Sequence, residues 1–403
     1  MVRFRSFNGY LPNLAKDENI LDRVSPPYDV IEEPELTVLR NKLCNVTRIT
    51  LGGIGGNYQR AAKELTNWIS KGALVKDEDE SYYLYRQSFR IGRTRHIRTG
   101  LIGLLGLEGY GEGDVIPHEE TVPNVKEDRL SLLRTTHTHA ESILGLVDEW
   151  DELILERAKD SSQMLFKCVD SSGTSHAISR ISDLVLTNKI TDMLRKRRVL
   201  IADGHHRYET ALRYFKEAPE IKSRGWVLAT LVSSDDPGVV VLPTHRLIKV
   251  PDLDEDRTIR KMREYCFVES LRNVETLSRS LRQTKNPSFG VIFGNGSTYK
   301  VGLIQRDIND PMWDIDSFVF QEVMLKKIIY SIAQKDRVKI DYDHSTSSVK
   351  HKMRSGAYDL SVLLRPPRLE TIWQLATEGH LMPIKTTFFW PKVWSGFVYY
   401  RMT

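Results

Sequence analysis

Cysteine and long apolar runs are both scarce in this chain of 403 residues. Its cysteines are Cys44, Cys168 and Cys266. They are far apart and form no CxxC pair, which argues against a disulfide framework or a zinc site and favours a reducing compartment. No stretch approaches the roughly 20 apolar residues that a bilayer span needs, and residues 1–6 lack the apolar run of a secretory signal. We therefore expect a soluble, cytoplasmic protein without membrane partners.

The chain also lacks a strong excess of charge of either sign. Its 58 Lys and Arg residues and 53 Asp and Glu residues give a formal net charge of +5, and the two signs are interleaved. This modest balance is compatible with a basic pocket for an anionic ligand, but it is too weak to indicate nucleic acid. We expect small-molecule partners and no nucleic acid.

Helix and strand patterns follow one another without repeats and without regular βαβ order. Alternation of aromatic and β-branched residues predicts a hairpin over residues 82–107, and a strand is predicted over residues 46–51. Helical periodicity predicts helices over residues 58–71, 206–216 and 257–281. This mixture predicts an α+β fold.

The length of the chain favours two or three domains over a single core. We predict an N-terminal α/β region over residues 1–75 and a central mixed α and β domain over residues 76–250. A C-terminal α/β domain over residues 251–403 is predicted to close the site. The acidic, loop-like stretch at residues 251–256 marks the second boundary.

The segment richest in chemical groups is Asp203-Gly204-His205-His206-Arg207, which follows a predicted strand and opens a predicted helix. A helix N-terminus offers N–H groups and the positive end of the helix dipole to a phosphate. Gly204 permits close approach, and Arg207 can add a forked, charge-assisted contact. Asp203 can hold Mg²⁺ or accept a proton. The plainer alternative, a capping Asp203 beside structural histidines, explains five such consecutive residues less well.

Three further polar clusters carry candidate residues. Glu119 and Glu120 lie on a loop between prolines, where either can be a general base or a metal ligand, although the segment taken alone is better explained as a solvated acidic loop. Lys385, Thr386 and Thr387 form a lysine and hydroxyl set suited to phosphate or carboxylate. His245 follows a strand and is as readily a buried structural histidine as a functional one. The chain has no P-loop, protein-kinase or nucleophile-elbow motif, and the glycines at 52–56 are interpreted as a turn.

Together these motifs resemble the domain-of-unknown-function 1015 family of bacteria and archaea, over nearly the whole chain. The resemblance runs, in family order, through PPYDVI (26–31), HEET (118–121), KEDRL (126–130), ADGHHRYETA (202–211), LPTHR (242–246), LRPP (364–367) and GHLMP (379–383). Membership alone names no reaction.

A second resemblance points to a reaction. Gly204–Arg207 with Ala211 is similar to the phosphate-binding box of the ParB and sulfiredoxin superfamily, whose members bind nucleotide phosphates at a helix start. Within it, the archaeal free-serine kinases carry Asp-Gly-His-His-Arg, an upstream Pro-His-Glu and a late Pro-Lys-Thr-Thr. Residues 203–207, 117–119 and 383–387 match these motifs in the same order, the last with Ile384 inserted. The resemblance implies a central ParB/sulfiredoxin-like domain.

The same resemblance implies a kinase that moves a phosphoryl group between a nucleotide (ADP or ATP) and free L-serine or O-phosphoserine, with Mg²⁺. Glu119 would take the serine hydroxyl proton, and Asp203 would assist it or hold Mg²⁺. The implied ligands of the nucleotide and phosphate are Gly204, His205, His206, Arg207, Lys385, Thr386 and Thr387. The implied substrate-binding residues are His118, Glu120 and His245.

Two rival functions stay open. One is a phosphatase acting on phosphoserine or another small phosphomonoester, which releases phosphate without a nucleotide acceptor. The other is a nucleotide-binding regulator that binds DNA, as ParB proteins do. The sequence disfavours the regulator, because it shows no convincing helix-turn-helix and no concentrated basic stripe.

Overall fold

The computed structural model describes residues 1–52, 58–121, 123–284, 286–305, 307 and 309–402. Most of the predicted glycine turn, residues 53–56, lies outside this set. Contacts divide the chain into two compact units. The first unit comprises Met1–Pro117, Thr121–Val240 and Pro391–Thr403, and the second comprises His118–Glu120 and Val241–Trp390.

The strands are, in chain order, β1 (Phe4–Arg5), β2 (Tyr10–Pro12), β3 (Leu74–Lys76), β4 (Tyr82–Ile91), β5 (Thr94–Gly106), β6 (Val115–Ile116), β7 (Thr138–His139), β8 (Ile143–Val147), β9 (Gln163–Val169), β10 (Ser175–Ile181), β11 (Val199–Asp203), β12 (Trp226–Ser233), β13 (Val240–Leu242), β14 (His245–Lys249), β15 (Cys266–Leu271), β16 (Ser288–Phe293), β17 (Thr298–Leu303), β18 (Lys339–Asp343), β19 (Leu360–Leu363), β20 (Phe388–Trp390) and β21 (Tyr400–Arg401).

The α-helices are α1 (Glu35–Asn41), α2 (Thr47–Thr50), α3 (Gln59–Ser70), α4 (Pro123–Thr136), α5 (Glu152–Asp160), α6 (Leu184–Arg195), α7 (His205–Glu217), α8 (Glu255–Met262), α9 (Val274–Gln283), α10 (Asp316–Val319), α11 (Tyr330–Ile332), α12 (Thr346–Arg354) and α13 (Leu369–Thr377). A π-helical stretch, Phe320–Ile329, joins α10 to α11. Among the described residues no helix is both long and apolar enough to cross a bilayer.

A large mixed sheet forms the centre of the first unit. Its strand order is β6-β11-β8-β12-β5-β4-β10-β9, with β1 added beside β5. The pairs β6–β11 and β8–β12 are parallel, and the other neighbours are antiparallel. The predicted hairpin over residues 82–107 is confirmed as β4 and β5. Strand β5 is buried along most of its length because apolar residues occupy both of its faces.

The junction that carries the polar segment of the first unit is a strand, a glycine and a helix. Strand β11 ends at Asp203, and α7 begins at His205. Gly204 between them has φ +95°, a left-handed conformation that residues with a Cβ rarely adopt. Tyr208, Ala211 and Tyr214 are buried at helical spacing, so α7 turns one face to the core and leaves its first turn at the strand end.

The second unit contains a six-stranded antiparallel sheet in the order β15-β17-β16-β19-β14-β18. Side chains alternate along its central strands, as the two-residue period requires. Ile248, Val291 and Val362 join a core cluster with the π-helical stretch. Their chain neighbours, including Leu247 and Leu363, join a different cluster with α9 and α12. Both faces of this sheet are therefore covered, and the chain is a mixed α and β protein.

Two predicted elements are wrong. Residues 46–51 were expected to be a strand, but Thr47–Thr50 form helix α2, since the buried Asn45 side chain accepts hydrogen bonds from the N–H and hydroxyl of Thr47. This local bond outweighs β propensity. The predicted helix over residues 257–281 is interrupted by β15, and Asn273 starts α9 as its N-cap. The predicted division at residues 75 and 250 stays a prediction.

Gly103→Ala should destabilise the first unit. An added Cβ would lie 2.5 Å from the Phe4 ring and 2.8 Å from the Tyr82 ring, which stack on one another at 5.3 Å. Overpacking of this kind costs about 1–3 kcal/mol, and we expect a lower midpoint in thermal unfolding. Gly302→Ala is the matched strand control, because its nearest neighbour is 3.9 Å away. Equal midpoints for the two variants would contradict the prediction.

Candidate functional site

The carboxylate of Asp203 is shared by two cations in the first unit. Arg207 donates to Oδ2 at 2.6 Å, and the Lys392 ammonium donates to Oδ1. The Asp203 and Arg207 side chains are 18% and 10% exposed, so water screens this pairing only partly. Both oxygens of Asp203 are therefore engaged by positive charge.

The Arg207 guanidinium donates hydrogen bonds to two partners. Besides Asp203, its guanidinium donates to the carbonyl oxygen of Ser142. Burial lowers the pKa of Arg207, but the charges of Asp203, Glu141 and Asp29 raise it, and the result lies above its ordinary value. The guanidinium stays charged over the whole physiological range. A Cβ on Gly204 would lie 3.0 Å from it, so glycine is required here by space as well as by φ.

The first turn of α7 adds backbone donors and histidines. Gly204 is its N-cap and offers no side-chain oxygen to the first-turn N–H groups. His205 is buried, and His206 is partly exposed. The end of a 13-residue helix with a small cap and a fixed guanidinium nearby has the features of a phosphate-binding turn.

Glu141 links this group to the motif PPYDVI. Its carboxylate is buried and accepts from the Tyr28 N–H and the Ser395 hydroxyl, both at 3.2 Å. The Arg129 guanidinium lies over the Tyr28 ring, 4.2 Å from its centroid. Burial raises the pKa of Tyr28 above its ordinary value, so its hydroxyl stays neutral. Tyr28 and Glu141 thus belong to the surroundings of Arg207.

The second unit brings two distant motifs together at Glu119. The Oε1 atom of Glu119 accepts from the Lys385 N–H at 2.6 Å, and Oε2 lies 3.3 Å from the Thr387 hydroxyl. The Glu119 side chain is 15% exposed. Burial raises the pKa of Glu119, while the backbone N–H groups and the Lys385 charge oppose that rise. A mostly buried carboxylate with a raised pKa has the properties of a general base.

The neighbours of Glu119 differ in exposure. His118 is fully buried, and its Nε2 lies 2.8 Å from the Thr387 hydroxyl and 4.0 Å from Glu119 Oε2. Glu120 is exposed, and its N–H donates to the Met382 carbonyl at 3.0 Å. The Thr387 hydroxyl therefore stands between an imidazole and a carboxylate, a position in which it can relay a hydrogen bond.

Lys385 contributes to this group through its backbone. It has φ +58°, a left-handed conformation that costs a non-glycine residue roughly 1–2 kcal/mol. Its N–H reaches Glu119, and its carbonyl accepts from the buried Arg246 at 3.1 Å. Burial lowers the pKa of Arg246 to about 10, although Tyr342 and Glu119 oppose that shift. The Lys385 side chain is exposed.

Two candidates of the second unit have structural partners. The Thr386 hydroxyl is buried between Ser317 and the Pro383 carbonyl. His245 Nδ1 accepts from the Leu364 N–H at 3.2 Å, and Nε2 lies 3.2 Å from the Thr346 hydroxyl. Burial lowers the pKa of His245 to about 4, which keeps the ring neutral. This geometry favours the structural alternative for His245, while its substrate-binding role stays a prediction.

The predicted residues thus form two groups, each within its own unit. The group of the first unit is Asp203, Gly204, His205, His206 and Arg207. In the second unit, the contacts join Glu119 to Lys385, Thr387 and His118. Glu120, Thr386 and His245 lie in the same unit and have other partners. Lys392, Glu141 and Arg246 were not predicted as site residues. Arg246 lies in the LPTHR motif, so a signal existed for it, whereas Lys392 and Glu141 lie in none of the motifs.

Comparison with known proteins identifies the family. A family model described as "Protein of unknown function (DUF1015)" matches residues 4–318. A search of curated proteins found no match to the chain.

Among solved structures, a conserved hypothetical protein from Pyrococcus furiosus is 14% identical over 70% of this chain and 89% of its own, with a TM-score of 0.38. A free serine kinase variant in complex with ADP is 13% identical over 68% of this chain and 84% of its own, with a TM-score of 0.39. C-terminally truncated SbnI from Staphylococcus aureus is 12% identical over 72% and 84%, with a TM-score of 0.34. These likenesses are too distant to support conclusions about activity.

Glu119→Gln should stabilise the protein at neutral pH. Because the pKa of Glu119 is raised in the folded state, its ionisation lowers the free energy of unfolding. This loss is complete at pH values above the folded-state pKa, and it is absent below the unfolded-state pKa of about 4.3. Glutamine keeps an acceptor for the Lys385 N–H without the charge. We expect a higher melting temperature than the parent's at pH 7, with the difference vanishing toward pH 4. Glu120→Gln, an exposed neighbour, should match the parent at every pH. A lower melting temperature for Glu119→Gln at pH 7 would contradict this account.

Proposed function

The chain belongs to the DUF1015 family, and we propose that it is a phosphotransferase that moves a phosphoryl group between ADP or ATP and the hydroxyl of free L-serine. The observation that carries the proposal is the contact between Glu119 and the Lys385–Thr387 segment, 266 residues apart in the chain. These are two of the three motifs in which the sequence resembles free-serine kinases. A resemblance in scattered motifs gains weight when two of them form one hydrogen-bonded group.

Glu119 is proposed as the general base. Its raised pKa gives it more affinity for a proton than an exposed carboxylate has, and the N–H of Lys385 fixes its orientation. In the forward reaction the serine Oγ–H bond breaks and its proton goes to Glu119. The oxygen forms a bond to the terminal phosphorus, whose bond to the bridging oxygen breaks. The products are O-phosphoserine and AMP from ADP, or ADP from ATP.

The group around Asp203 is proposed to bind the nucleotide phosphates. The first turn of α7 offers its N–H groups, and Arg207 offers a charged fork whose orientation Asp203 and Ser142 fix. Phosphoryl transfer depends mainly on positioning and on neutralising charge, which such a group supplies. Assigning both groups to one reaction rests on the order of the motifs in the sequence.

Magnesium does not fit Asp203 in this geometry. Mg²⁺ takes oxygen ligands in a near-octahedral shell, but both oxygens of Asp203 accept hydrogen bonds from cationic side chains. Over the described residues, no three His, Cys, Asp or Glu side chains converge as a metal-binding set. We therefore assign Asp203 to holding Arg207.

Phosphorus NMR tests the reaction directly. The protein is mixed with Mg²⁺ and O-phosphoserine, with ADP, with AMP or without nucleotide. We expect phosphoserine to disappear only when a nucleotide is present, with ATP formed from ADP or ADP formed from AMP. Release of free phosphate without nucleotide would instead establish the phosphatase alternative. An unchanged spectrum in all three samples would contradict the proposal.

Two variants separate chemistry from binding. Glu119→Gln should lower turnover at least 100-fold, the usual scale for loss of a general base, with nucleotide affinity largely retained. Arg207→Ala should weaken nucleotide binding, measured by calorimetry. Glu370→Gln on α13 is the control, and it should retain turnover because its carboxylate is exposed and lies outside the motifs. Normal turnover in Glu119→Gln would remove Glu119 from the mechanism.

A further inference from the structure

The segment that carries Lys392 is fixed to the sheet of the first unit through its backbone. The Arg98 guanidinium donates to the Pro391 carbonyl, and the Gln87 amide donates to the Lys392 carbonyl at 2.9 Å. Two residues later the Trp394 N–H donates to the Tyr85 hydroxyl at 3.3 Å. Three side chains of β4 and β5 thus hold the backbone on both sides of Lys392.

The side chains that hold this segment are themselves fixed. Gln87 and Arg98 are cross-strand partners in the β4–β5 register, and the Gln87 carbonyl accepts from two nitrogens of Arg98. Arg98 is buried, and burial lowers its pKa to about 10. Burying a guanidinium is costly unless its donors find acceptors. The Pro391 carbonyl is one of those acceptors, so the position of the segment is tied to the core of the sheet.

Lys392 extends from this fixed backbone to Asp203. Its side chain is 9% exposed, and its ammonium contacts Asp203 Oδ1 while Arg207 holds Oδ2. Lysine is a compact point charge with strong hydration, so burying it requires a charged partner. Lys392 lies outside residues 4–318, the part of the chain that the family model matches.

We propose that Lys392 is a positioning residue. Its ammonium occupies the place beside Asp203 Oδ1 that a metal ion would need in order to coordinate this carboxylate. The inference rests on the proposed function of the group around Asp203. Because Lys392 holds one oxygen of Asp203, the other oxygen stays directed at Arg207. The Arg207 guanidinium is thereby kept in the orientation in which it would bind a nucleotide phosphate. The ammonium also supplies, without a metal, a second positive charge beside the phosphate-binding turn.

Manganese binding tests this assignment independently of catalysis. Mn²⁺ replaces Mg²⁺ at carboxylate sites and is detected by EPR. Without nucleotide, the parent protein and Asp203→Asn should bind Mn²⁺ equally, because the parent has no Mn²⁺ site at Asp203. Lys392→Gln should bind Mn²⁺ more strongly than the parent, because the ammonium that repels a cation from Oδ1 is gone, and the double variant Lys392→Gln/Asp203→Asn should lose this gain. A parent site that depends on Asp203, or no gain in Lys392→Gln, would overturn the inference.

Nucleotide affinity gives the second measurement. Lys392→Gln should weaken ADP binding about 10-fold, the lower end of what loss of an outer-shell partner produces, and Lys392→Arg should restore most of it. The exposed Lys63→Gln on α3 is the matched control and should bind ADP as the parent does. Unchanged ADP affinity in Lys392→Gln would overturn the inference, and Lys392→Arg, which keeps the charge, tests it even if Lys392→Gln folds poorly. Should phosphoserine fail to react while these outcomes hold, the kinase proposal fails and Lys392 keeps its role.

Discussion

The buried guanidinium of Arg98 imposes the main constraint on the first unit. Burying a charge inside a sheet is costly unless its donors find acceptors. Here Nε and Nη2 find Gln87 on the neighbouring strand and the Pro391 carbonyl, while Nη1 is buried with no hydrogen-bond partner among the described residues. The Pro391 carbonyl is almost 300 residues away along the chain, so this bond also closes the unit. Lys392 follows Pro391 directly, and its place beside Asp203 is a consequence of that closure.

The two polar groups use opposite electrostatic arrangements. Around Asp203, carboxylates and cations compensate one another, and Arg207 keeps its charge despite burial. Around Glu119, burial raises the proton affinity of the carboxylate, and the backbone N–H groups that hold it oppose this rise only in part. The first arrangement suits the binding of a ligand that stays charged, and the second suits a carboxylate that accepts and releases a proton during a reaction. This division matches the roles of binding and base catalysis that we propose.

Local signals predicted the junction at Asp203, because a strand, a glycine and an amphipathic helix leave their pattern within twenty residues. They failed at Thr47–Thr50, where the Asn45 side chain competes with the strand, and around β15, where the Asn273 cap was overlooked. The contact of Glu119 with Lys385 has no local signature and was suggested only by the resemblance. Family membership was confirmed by the family model. Lys392 was missed because its contact depends on backbone bonds to β4 and β5, which no spacing reveals.

The division of the chain has a consequence for synthesis on the ribosome. The first unit is interrupted after Val240 and resumes at Pro391, with the long stretch of the second unit between. At about 5–20 residues per second, roughly 8–30 s pass before that stretch is complete. During this time the nascent sheet contains Arg98 without its Pro391 acceptor and Asp203 without Lys392. The group around Asp203 is therefore completed only after the polypeptide of the second unit has been made.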